Sequence, residues 1–357
     1  MYQGQTVAVV IPARNEERQI ERVLVTMPDY VDRMVVVDDA STDRTWQIVQ
    51  AVRERIGPDR VVAIRHDRRR GVGGAICTGY TWARRQKMAM TAVMAGDGQM
   101  DPSELEQVID PIARGLAEYS KGNRLVVDGA WHKIPKSRLI GNAVLSVLTK
   151  IASGYWHIAD SQAGFTAISL GALQRLDVSR VYRSYGVPND LLVRLNVVNA
   201  RVVDVPVTPL YGIGERSRLR IWKVVFTISL LLLRGFVWRL KEKYVIRDFH
   251  PLVFFYLSAM GLLAIGAALG GVLLYRNVPL GGHGLPPLQA GWIILDAICV
   301  ITGFQSLFFA MWFDMDYNRP LSVFLPPAAT HDTGEQADGA QKIRGDEEPV
   351  AVGVEKT

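Results

Sequence analysis

Two long apolar stretches near the C-terminal end constrain the fold of this chain most strongly. Leu252–Tyr275 contains no charged residue, and Ala290–Phe313 contains only one, Asp296. At a rise of about 1.5 Å per residue, a helix of either length crosses the roughly 30 Å apolar core of a bilayer. We therefore predict two membrane-spanning helices, at about 252–275 and 290–313. We expect Asp296 to face protein rather than lipid, because a charge exposed to lipid is costly.

The distribution of basic residues predicts how these helices are oriented. The loop between the spans carries a single formal charge, Arg276, whereas the segment before the first span is basic. Its basic residues are Arg234, Arg239, Lys241, Lys243 and Arg247. Positive flanks stay on the cytoplasmic side, so we expect both termini to be cytoplasmic and the protein to be integral to a bacterial-type inner or plasma membrane.

The segment before the first span contains a third apolar stretch, which is shorter. The uncharged residues between Lys223 and Arg234 are too few to span a bilayer. Trp222 and Trp238 flank this stretch, and basic residues lie nearby. This pattern predicts an interfacial helix lying on the inner leaflet, with a buried helix of the soluble domain as the alternative.

The N-terminal half alternates short apolar runs with helical patterns. The runs are Thr6–Ile11, Val31–Val37, Val61–His66 and Met90–Ala95. Strands that alternate with helices predict an α/β fold with a mostly parallel sheet covered on both faces. The first run leads into Pro-Ala-Arg-Asn-Glu at residues 12–16 instead of G-x-G-x-x-G, which argues against a nicotinamide-dinucleotide domain.

The fourth run ends in a group of oxygen-bearing side chains. Asp97 lies between two glycines, and Gln99 follows it. Side chains alternate along an extended chain, so we expect Asp97 and Gln99 to point to one side at the carboxyl edge of the sheet. This pattern predicts a site for a divalent metal and a diphosphate, with Asp101 capping a helix that begins at Pro102. The alternative is a plain strand-to-helix turn in which Asp101 is only a cap.

Two further loops contain candidate ligand-binding residues. Asp38 and Asp39 follow the second strand, where neighbouring carboxylates repel each other unless a ligand engages them. Ribose hydroxyls or a base would fit there, and solvated turn acids are the alternative. The glycine-rich segment 71–74 opens a helix whose N-terminus suits an anion, whereas we expect at least two of the arginines at 68–70 to face solvent.

Taken together, these motifs resemble the family 2 glycosyltransferases. The similarity is to the branch that glycosylates polyprenyl phosphates and includes dolichol-phosphate mannose synthase. It extends from Val7 to Phe313 and rests on an ordered set of motifs followed by two spans. The motifs are VVIPARNEE, VVVDDASTD, GVGGAI, MAGDGQMDP, KGNRL, DSQAGF, VPND and the YG…SR stretch.

This resemblance implies a GT-A fold and an inverting transfer from a nucleotide sugar, of the UDP-glucose or GDP-mannose type, to a polyprenyl or dolichyl phosphate. It implies Mg²⁺ or Mn²⁺ as cofactor. The nucleotide-binding positions are Pro12, Arg14, Asn15, Glu16, Asp38 and Asp39. The metal-binding positions are Asp97 and Gln99, the catalytic positions are Asp97 and Asp190, and the positions for acceptor phosphate are Arg124, Arg138 and Arg218.

This chain departs from the family pattern at three positions. Ala95 stands where an acid is common, Arg69 where asparagine is frequent, and Arg218 where lysine is usual. Because Ala95 removes a carboxylate, we expect the donor's own diphosphate to hold much of the metal. The protein without donor should therefore bind the metal weakly.

These observations divide the chain into four regions. We predict a GT-A domain at 1–218, an interfacial helical region at 219–250, two spans within 251–313, and a disordered cytoplasmic tail at 314–357. The expected partners are the donor, the polyprenyl phosphate and the membrane but no nucleic acid, and the sequence leaves a homo-oligomer open. Two alternatives remain: a glycosyltransferase with a lipid or polysaccharide hydroxyl as acceptor, and a non-catalytic membrane protein that binds nucleotide sugar.

Overall fold

The computed structural model describes residues 1–125, 136–208, 221–277 and 290–325. Its strands are β1 (Val7–Ala13), β2 (Arg33–Asp38), β3 (Val61–Arg65), β4 (Met90–Val93), β5 (Tyr119–Asn123), β6 (Thr166–Ser169), β7 (Val202–Pro206) and β8 (Ser322–Val323). Its α-helices are α1 (Ile20–Val25), α2 (Thr45–Ile56), α3 (Val72–Arg85), α4 (Leu105–Ala113), α5 (Lys136–Ser153), α6 (Leu170–Arg175), α7 (Val187–Val197), α8 (Ile221–Lys241), α9 (Leu252–Asn277) and α10 (Ala290–Asn318). A π-helix, Glu242–Arg247, continues α8.

The strands form one sheet in the order β3-β2-β1-β4-β6-β5-β7-β8. Strand β6 runs antiparallel to β4 and β5, and the other pairings in the described residues are parallel. Along β1, Ala8 and Val10 pack into the core beneath α3 and α7, whereas Val7, Val9 and Ile11 pack into the core on the opposite face. Burial on both faces explains the continuous apolar runs and confirms the predicted α/β class.

The first strand is longer than the sequence predicted, and the first helix is shorter. Pro12 lies within β1, beside Val37 of β2, and does not end the strand. The following loop does not continue into a helix, because side chains of the loop after β2 and of the first residue of α2 bind its backbone amides. Asn15 N donates to Ser41 Oγ at 3.0 Å, and Glu16 N donates to Thr45 Oγ1 at 2.8 Å. Helix α1 therefore begins only at Ile20.

Helix α8 packs on the α/β domain along one face only. Its Ile228 and Leu232 are buried in a cluster with Leu145 of α5 and Val193 of α7. A stripe of large apolar side chains on α8 remains exposed. These are Phe226, Leu230, Leu233 and Val237. The helix thus combines a packed face with an exposed apolar face, and its contact with a membrane stays a prediction.

Helices α9 and α10 form an antiparallel hairpin. Near one end the rings of Phe255 and Phe313 lie 5.2 Å apart, and further along Gly303 lies against Leu263. Within the described residues, two helices, Leu252–Arg276 and Ala290–Leu321, are long and apolar enough to cross a membrane. Only 22% and 17% of their most apolar windows are buried, so neither resembles the core helix of a soluble domain.

Asp296 faces the partner helix, as the sequence predicted. A Cβ on Gly266 or Gly270 of α9 would lie 3.7 or 3.6 Å from a carboxylate oxygen of Asp296. The glycines therefore leave space for this carboxylate between the two helices, and Asp296 is partly buried there.

The end of α10 belongs to the folded domain and not to a disordered tail, which corrects the boundary predicted at residue 314. Asp314 and Asn318 are buried, and Ser322 of β8 lies beside Val202 of β7. A buried polar group, which we call the Arg239 cluster, joins α10 to α7, to α8 and to the π-helix that continues α8. It consists of Arg239, Asp314, Tyr244, Lys243, Asn196 and Asn318. The rest of the predicted tail, 326–357, lies outside the described residues.

Candidate active site

The loop after β4 forms a tight turn around Asp97. Gly96 N donates to Pro12 O at 3.1 Å, which holds the loop against the end of β1. Gly98 adopts a positive φ of 72°, and Gln99 N donates to Asp97 Oδ1 at 3.1 Å. The expectation of an extended chain with alternating side chains is therefore wrong, because the positive φ reverses the chain between Asp97 and Gln99. The Asp97 carboxylate is half-buried and holds its own turn together.

Asp101 performs the capping role that the sequence assigned to it. Its Oδ1 accepts from Ser103 N at 2.9 Å, and Pro102 begins a short 3₁₀ turn that leads into α4. The carboxylate of Asp101 is thus engaged as a helix cap. Asp97, four residues earlier, lies in the turn between β4 and that helix.

The loops after β1 and β2 are bound to each other. Besides the contacts of Asn15 N and Glu16 N, Thr42 N donates to Asn15 Oδ1 at 2.9 Å. Asn15 adopts a positive φ of 58°, which directs the chain towards the β2 loop. Arg14 Nη1 is buried and has no hydrogen-bond partner among the described residues, so an anionic ligand would satisfy it. The nucleotide-binding positions predicted after β1 and β2 therefore lie together.

Negative charge accumulates at Glu16. Burial, with added repulsion from Asp97 and Asp43, raises the pKa of Glu16 from 4.5 to about 7. A divalent cation would relieve this repulsion, so the side chains present fit a metal. Among the described residues, no three or more His, Cys, Asp or Glu side chains converge closely enough to hold an ion. The ion would therefore need ligands from elsewhere, such as substrate phosphates.

Replacing Glu16 with glutamine should change how stability depends on pH. A carboxyl whose pKa rises on folding makes the native state less stable as the pH climbs from 4.5 through about 7. We expect Glu16→Gln to be more stable than the wild type at about pH 8 and similar to it at about pH 5, as measured by thermal unfolding. Glu17→Gln is the control, because Glu17 instead accepts from Arg44 N at 3.2 Å. Parallel pH profiles for wild type and Glu16→Gln would contradict this assignment.

Asp38 and Asp39 are buried, so the alternative of solvated turn acids is wrong. Arg65 Nε lies 3.1 Å from Asp38 Oδ2, and Ser41 N donates to Asp38 Oδ1 at 3.2 Å. Asp39 Oδ1 lies 2.9 Å from His66 Nδ1, and Asp39 Oδ2 accepts from Gly71 N at 2.8 Å. Burial raises the pKa of Asp39, but its hydrogen bonds outweigh burial and lower it. Both acids order the loops around the site, and their contact with nucleotide stays a prediction.

The segment that precedes β6 is anchored by charged side chains. Arg124 was predicted to bind acceptor phosphate, whereas Lys121, Asp160 and Asp204 had no predicted role. Arg124 holds Asp160 through two contacts, Nε to Oδ2 at 2.7 Å and Nη2 to Oδ1 at 3.1 Å. The fully buried Lys121 donates to Ala163 O, and Asp204 Oδ2 accepts from Ala159 N at 2.8 Å. Lysine and aspartate at inward-facing strand positions were the available signal, since such residues are rarely buried without a partner.

The three arginines predicted to bind acceptor phosphate, and the predicted catalytic residue Asp190, have different surroundings. Arg124 is engaged with Asp160, and its contact with acceptor phosphate stays a prediction. Arg138 lies in the first turn of α5, and nothing beyond its backbone is described. Arg218 lies outside the described residues. Asp190 is buried at the start of α7, where its Oδ2 accepts from Tyr182 N at 2.8 Å and from Arg194 Nε at 2.7 Å.

A cavity of about 170 Å³ lies next to the Asp97 turn. Pro12 and Ala95 line it at the ends of β1 and β4, and Val187 and Leu191 line it from α7. The strand ends thus present a charged group of side chains around Glu16 and Asp97, with a mostly apolar cavity beside it.

Comparisons with known proteins agree with this architecture. Residues 8–177 match the family model described as Glycosyl transferase family 2. An uncharacterized glycosyltransferase of Mycobacterium tuberculosis is 31% identical over 219 residues, which cover 60% of this chain and 90% of that protein. The UDP-N-acetylglucosamine–dolichyl-phosphate N-acetylglucosaminyltransferase of Methanococcus voltae is 29% identical over 214 residues, which cover 57% of this chain and 85% of that protein.

An undecaprenyl-phosphate mannosyltransferase of Micrococcus luteus is 27% identical over 207 residues, which cover 57% of this chain and 82% of that protein. The mixed sheet, with its acidic loops at the carboxyl ends of β1, β2 and β4, is the GT-A arrangement. The chain is therefore a glycosyltransferase that belongs to glycosyl transferase family 2.

Proposed function

We propose that this protein transfers a sugar from a nucleoside diphosphate to a polyprenyl phosphate at the cytoplasmic face of a membrane. The observation that carries the proposal is the junction between site and spans. The end of the apolar helix α10 is buried in the same domain that holds the Asp97 turn. Relatives named for dolichyl phosphate and undecaprenyl phosphate support this acceptor class.

The reaction is a displacement at the anomeric carbon. An oxygen of the acceptor phosphate attacks that carbon, the bond to the donor's diphosphate breaks, and the nucleoside diphosphate leaves with the electron pair. Attack from the face opposite the leaving group inverts the configuration. Because the second pKa of a phosphate monoester is about 6, the acceptor is mostly ionised at neutral pH, and the protein need not remove a proton.

The donor would lie across the loops after β1, β2 and β4. Asp97 and Gln99 would hold Mg²⁺ or Mn²⁺ together with the donor's diphosphate, and the bound ion would neutralise charge that develops on the leaving group. Arg14, whose Nη1 lacks a partner among the described residues, would bind the anionic part of the nucleotide. The contact between Gly96 and Pro12 keeps the Asp97 turn at the sheet edge.

Exposed apolar surfaces support an arrangement of the protein at the membrane. The outer stripe of α8, with Phe226 and Leu233, would lie in the headgroup region of the inner leaflet. The ring of Phe236 on α8 lies 5.2 Å from that of Tyr256 on α9, which links this helix to the first span. This arrangement would hold the site at the depth of a lipid phosphate.

A donor screen tests the proposal. Purified full-length protein is incubated with a short-chain polyprenyl phosphate, Mg²⁺ or Mn²⁺, and UDP-glucose, UDP-N-acetylglucosamine or GDP-mannose. Lipid-linked sugar is the readout. We expect product from at least one donor. Nucleotide binding without turnover from any donor would instead favour the non-catalytic alternative.

Variants at Asp190 separate phosphate from hydroxyl acceptors. With a phosphate acceptor, Asp190→Asn and Arg194→Met should each lower turnover only about tenfold or less, because both weaken the same ion pair. A hydroxyl acceptor needs a general base, so Asp190→Asn would then cost about 10²–10⁴-fold while Arg194→Met would not. Rates with the accepted donor measure the difference, and a loss confined to Asp190→Asn would contradict the phosphate acceptor.

A further inference from the structure

The cavity beside the Asp97 turn extends from the surface into the core. Its exposed side includes Tyr185, whose side chain is 53% exposed, and Ala95, two residues before Asp97. Its inner side reaches Tyr80 and Tyr119, both completely buried. A sugar whose diphosphate is held at Asp97 would lie over the opening, so any group that it carries on that side would enter the cavity.

The walls of this cavity are mostly hydrocarbon. Val72 and Ile76 of α3 face Val187 and Leu191 of α7 across the cavity, and Val93 lies at the end of β4. A hexose carries hydroxyl groups around its ring, and burying a hydroxyl against such walls without a partner is unfavourable. A methyl group would instead gain free energy by leaving water there.

Hydroxyl groups at the inner end supply a second feature. The phenol oxygens of Tyr80 and Tyr119 are buried, and both have the hydroxyl of Thr166, which also lines the cavity, as a hydrogen-bonding neighbour. One threonine hydroxyl shared by two phenols leaves hydrogen-bonding capacity of the phenols unused. Unused donors at this depth point to a ligand group that accepts a hydrogen bond.

We infer that this cavity receives the N-acyl group of an amino sugar, so that the donor is a nucleotide-linked N-acetylhexosamine and not a plain hexose. An acetamido group combines a methyl group for the walls formed by Ile76 and Leu191 with a carbonyl oxygen for the phenols of Tyr80 and Tyr119. The inference rests on the proposed transfer from a nucleotide sugar, and it specifies the class of sugar.

Donor competition provides the first test. We expect kcat/KM for UDP-N-acetylglucosamine to exceed that for UDP-glucose by about 10- to 100-fold, the range for one small apolar group in a fitted pocket. Equal or better use of UDP-glucose, or transfer from GDP-mannose alone, would overturn the inference. Either result would leave the proposed glycosyl transfer to polyprenyl phosphate intact.

Filling the cavity provides the second test. Ile76→Phe should lower the ratio of the two kcat/KM values, acetylated over plain donor, by about tenfold because the larger ring occupies the space for the acyl group. Ile56→Phe is the matched control: it makes the same change at the far end of α2, outside the cavity lining. An unchanged ratio in Ile76→Phe that folds normally would contradict the assignment.

Tyr119→Phe tests the hydrogen bond without adding bulk. Its hydroxyl shares Thr166 with the hydroxyl of Tyr80, which the variant keeps, so thermal stability should fall little, whereas the donor ratio should drop about tenfold. A merely structural role would lower stability and leave the ratio unchanged. Titrations of binding with both UDP-sugars apply the same tests without turnover, so a protein that binds the acetylated donor selectively but transfers nothing would refute the proposed function alone.

Discussion

Asp97→Ala is expected to lower sugar transfer about 10³-fold, equivalent to about 4 kcal/mol of transition-state stabilisation. Asp97 is the half-buried carboxylate in the turn after β4, and it lies close enough to Glu16 to contribute to the raised pKa of that group. Because Ala95 stands where a second acid is common, no neighbouring carboxylate at that position could replace Asp97 as a metal ligand. Rates with saturating donor and acceptor measure the effect.

Two further variants separate charge from loop structure. Asp97→Asn keeps an oxygen that can accept from Gln99 N but removes the charge, so activity should fall strongly and recover in part at high Mn²⁺. Asp101→Ala removes the cap four residues later, which should cost about 1 kcal/mol of stability and leave the rate within a few-fold. Similar losses in Asp97→Ala and Asp101→Ala would mean that loop geometry, and not a metal ligand, is what matters.

Arg239→Met should lower the free energy of unfolding by about 3–5 kcal/mol, a large share of what holds a typical domain folded. Both partners of the ion pair are completely buried: Arg239 Nη1 and Nη2 lie 2.8 and 2.9 Å from the two oxygens of Asp314. Without the guanidinium, the carboxylate of Asp314 would be buried beside Tyr244 with no cation of its own. Thermal unfolding in detergent measures the loss.

Matched variants identify the cause of this effect. Arg247→Met removes a half-exposed pair with Glu242 at 3.3 Å and should cost about 1 kcal/mol or less. Arg239→Met combined with Asp314→Leu removes both charges and should recover much of the lost stability. A double variant as unstable as Arg239→Met would show that packing of the arginine, and not the unpaired acid, dominates.

The Arg239 cluster has a consequence for the site. Lys243 Nζ donates to the backbone oxygen of Asn196 at 3.0 Å and to Asn318 Oδ1 at 2.8 Å, which joins the C-terminal part of α7 to the end of α10. The other end of α7 lines the cavity through Val187 and Leu191. Asn196 Nδ2 also donates directly to Asn318 Oδ1 at 2.8 Å, so the helix that borders the cavity is attached to the second apolar helix.

Local sequence patterns predicted much of the fold because they depend on neighbouring residues. The β-branched runs identified the first four strands, since burial on both faces of a parallel sheet requires continuous apolar residues. Asp101 with Pro102 predicted a helix start that the structure confirms. The length of Leu252–Tyr275 predicted a span-sized helix, and the structure contains one.

Patterns of this kind failed where distant residues control the backbone. The sequence pattern predicts that the first strand ends at Pro12, but Pro12 lies within the strand, beside Val37. The strand continues because Gly96 N donates to the carbonyl of Pro12, and Asp39 N donates to the carbonyl of Ala13. The sequence pattern predicts an extended backbone around Asp97, but the chain turns at Gly98. Residues 314–323 read as the start of a tail, yet Asp314 pairs with Arg239, 75 positions earlier in the chain.

Motif order and hydrophobic length were therefore enough to predict the class of protein: a family 2 glycosyltransferase domain followed by two span-sized helices. The contacts of the individual side chains became known from the packing of the elements. Asp39 is held by His66 and Gly71, Arg124 by Asp160, and Arg239 by Asp314, since each partner comes from a different element. Motifs arise from short-range order, whereas the burial and pairing of a charge depend on which distant elements pack around it.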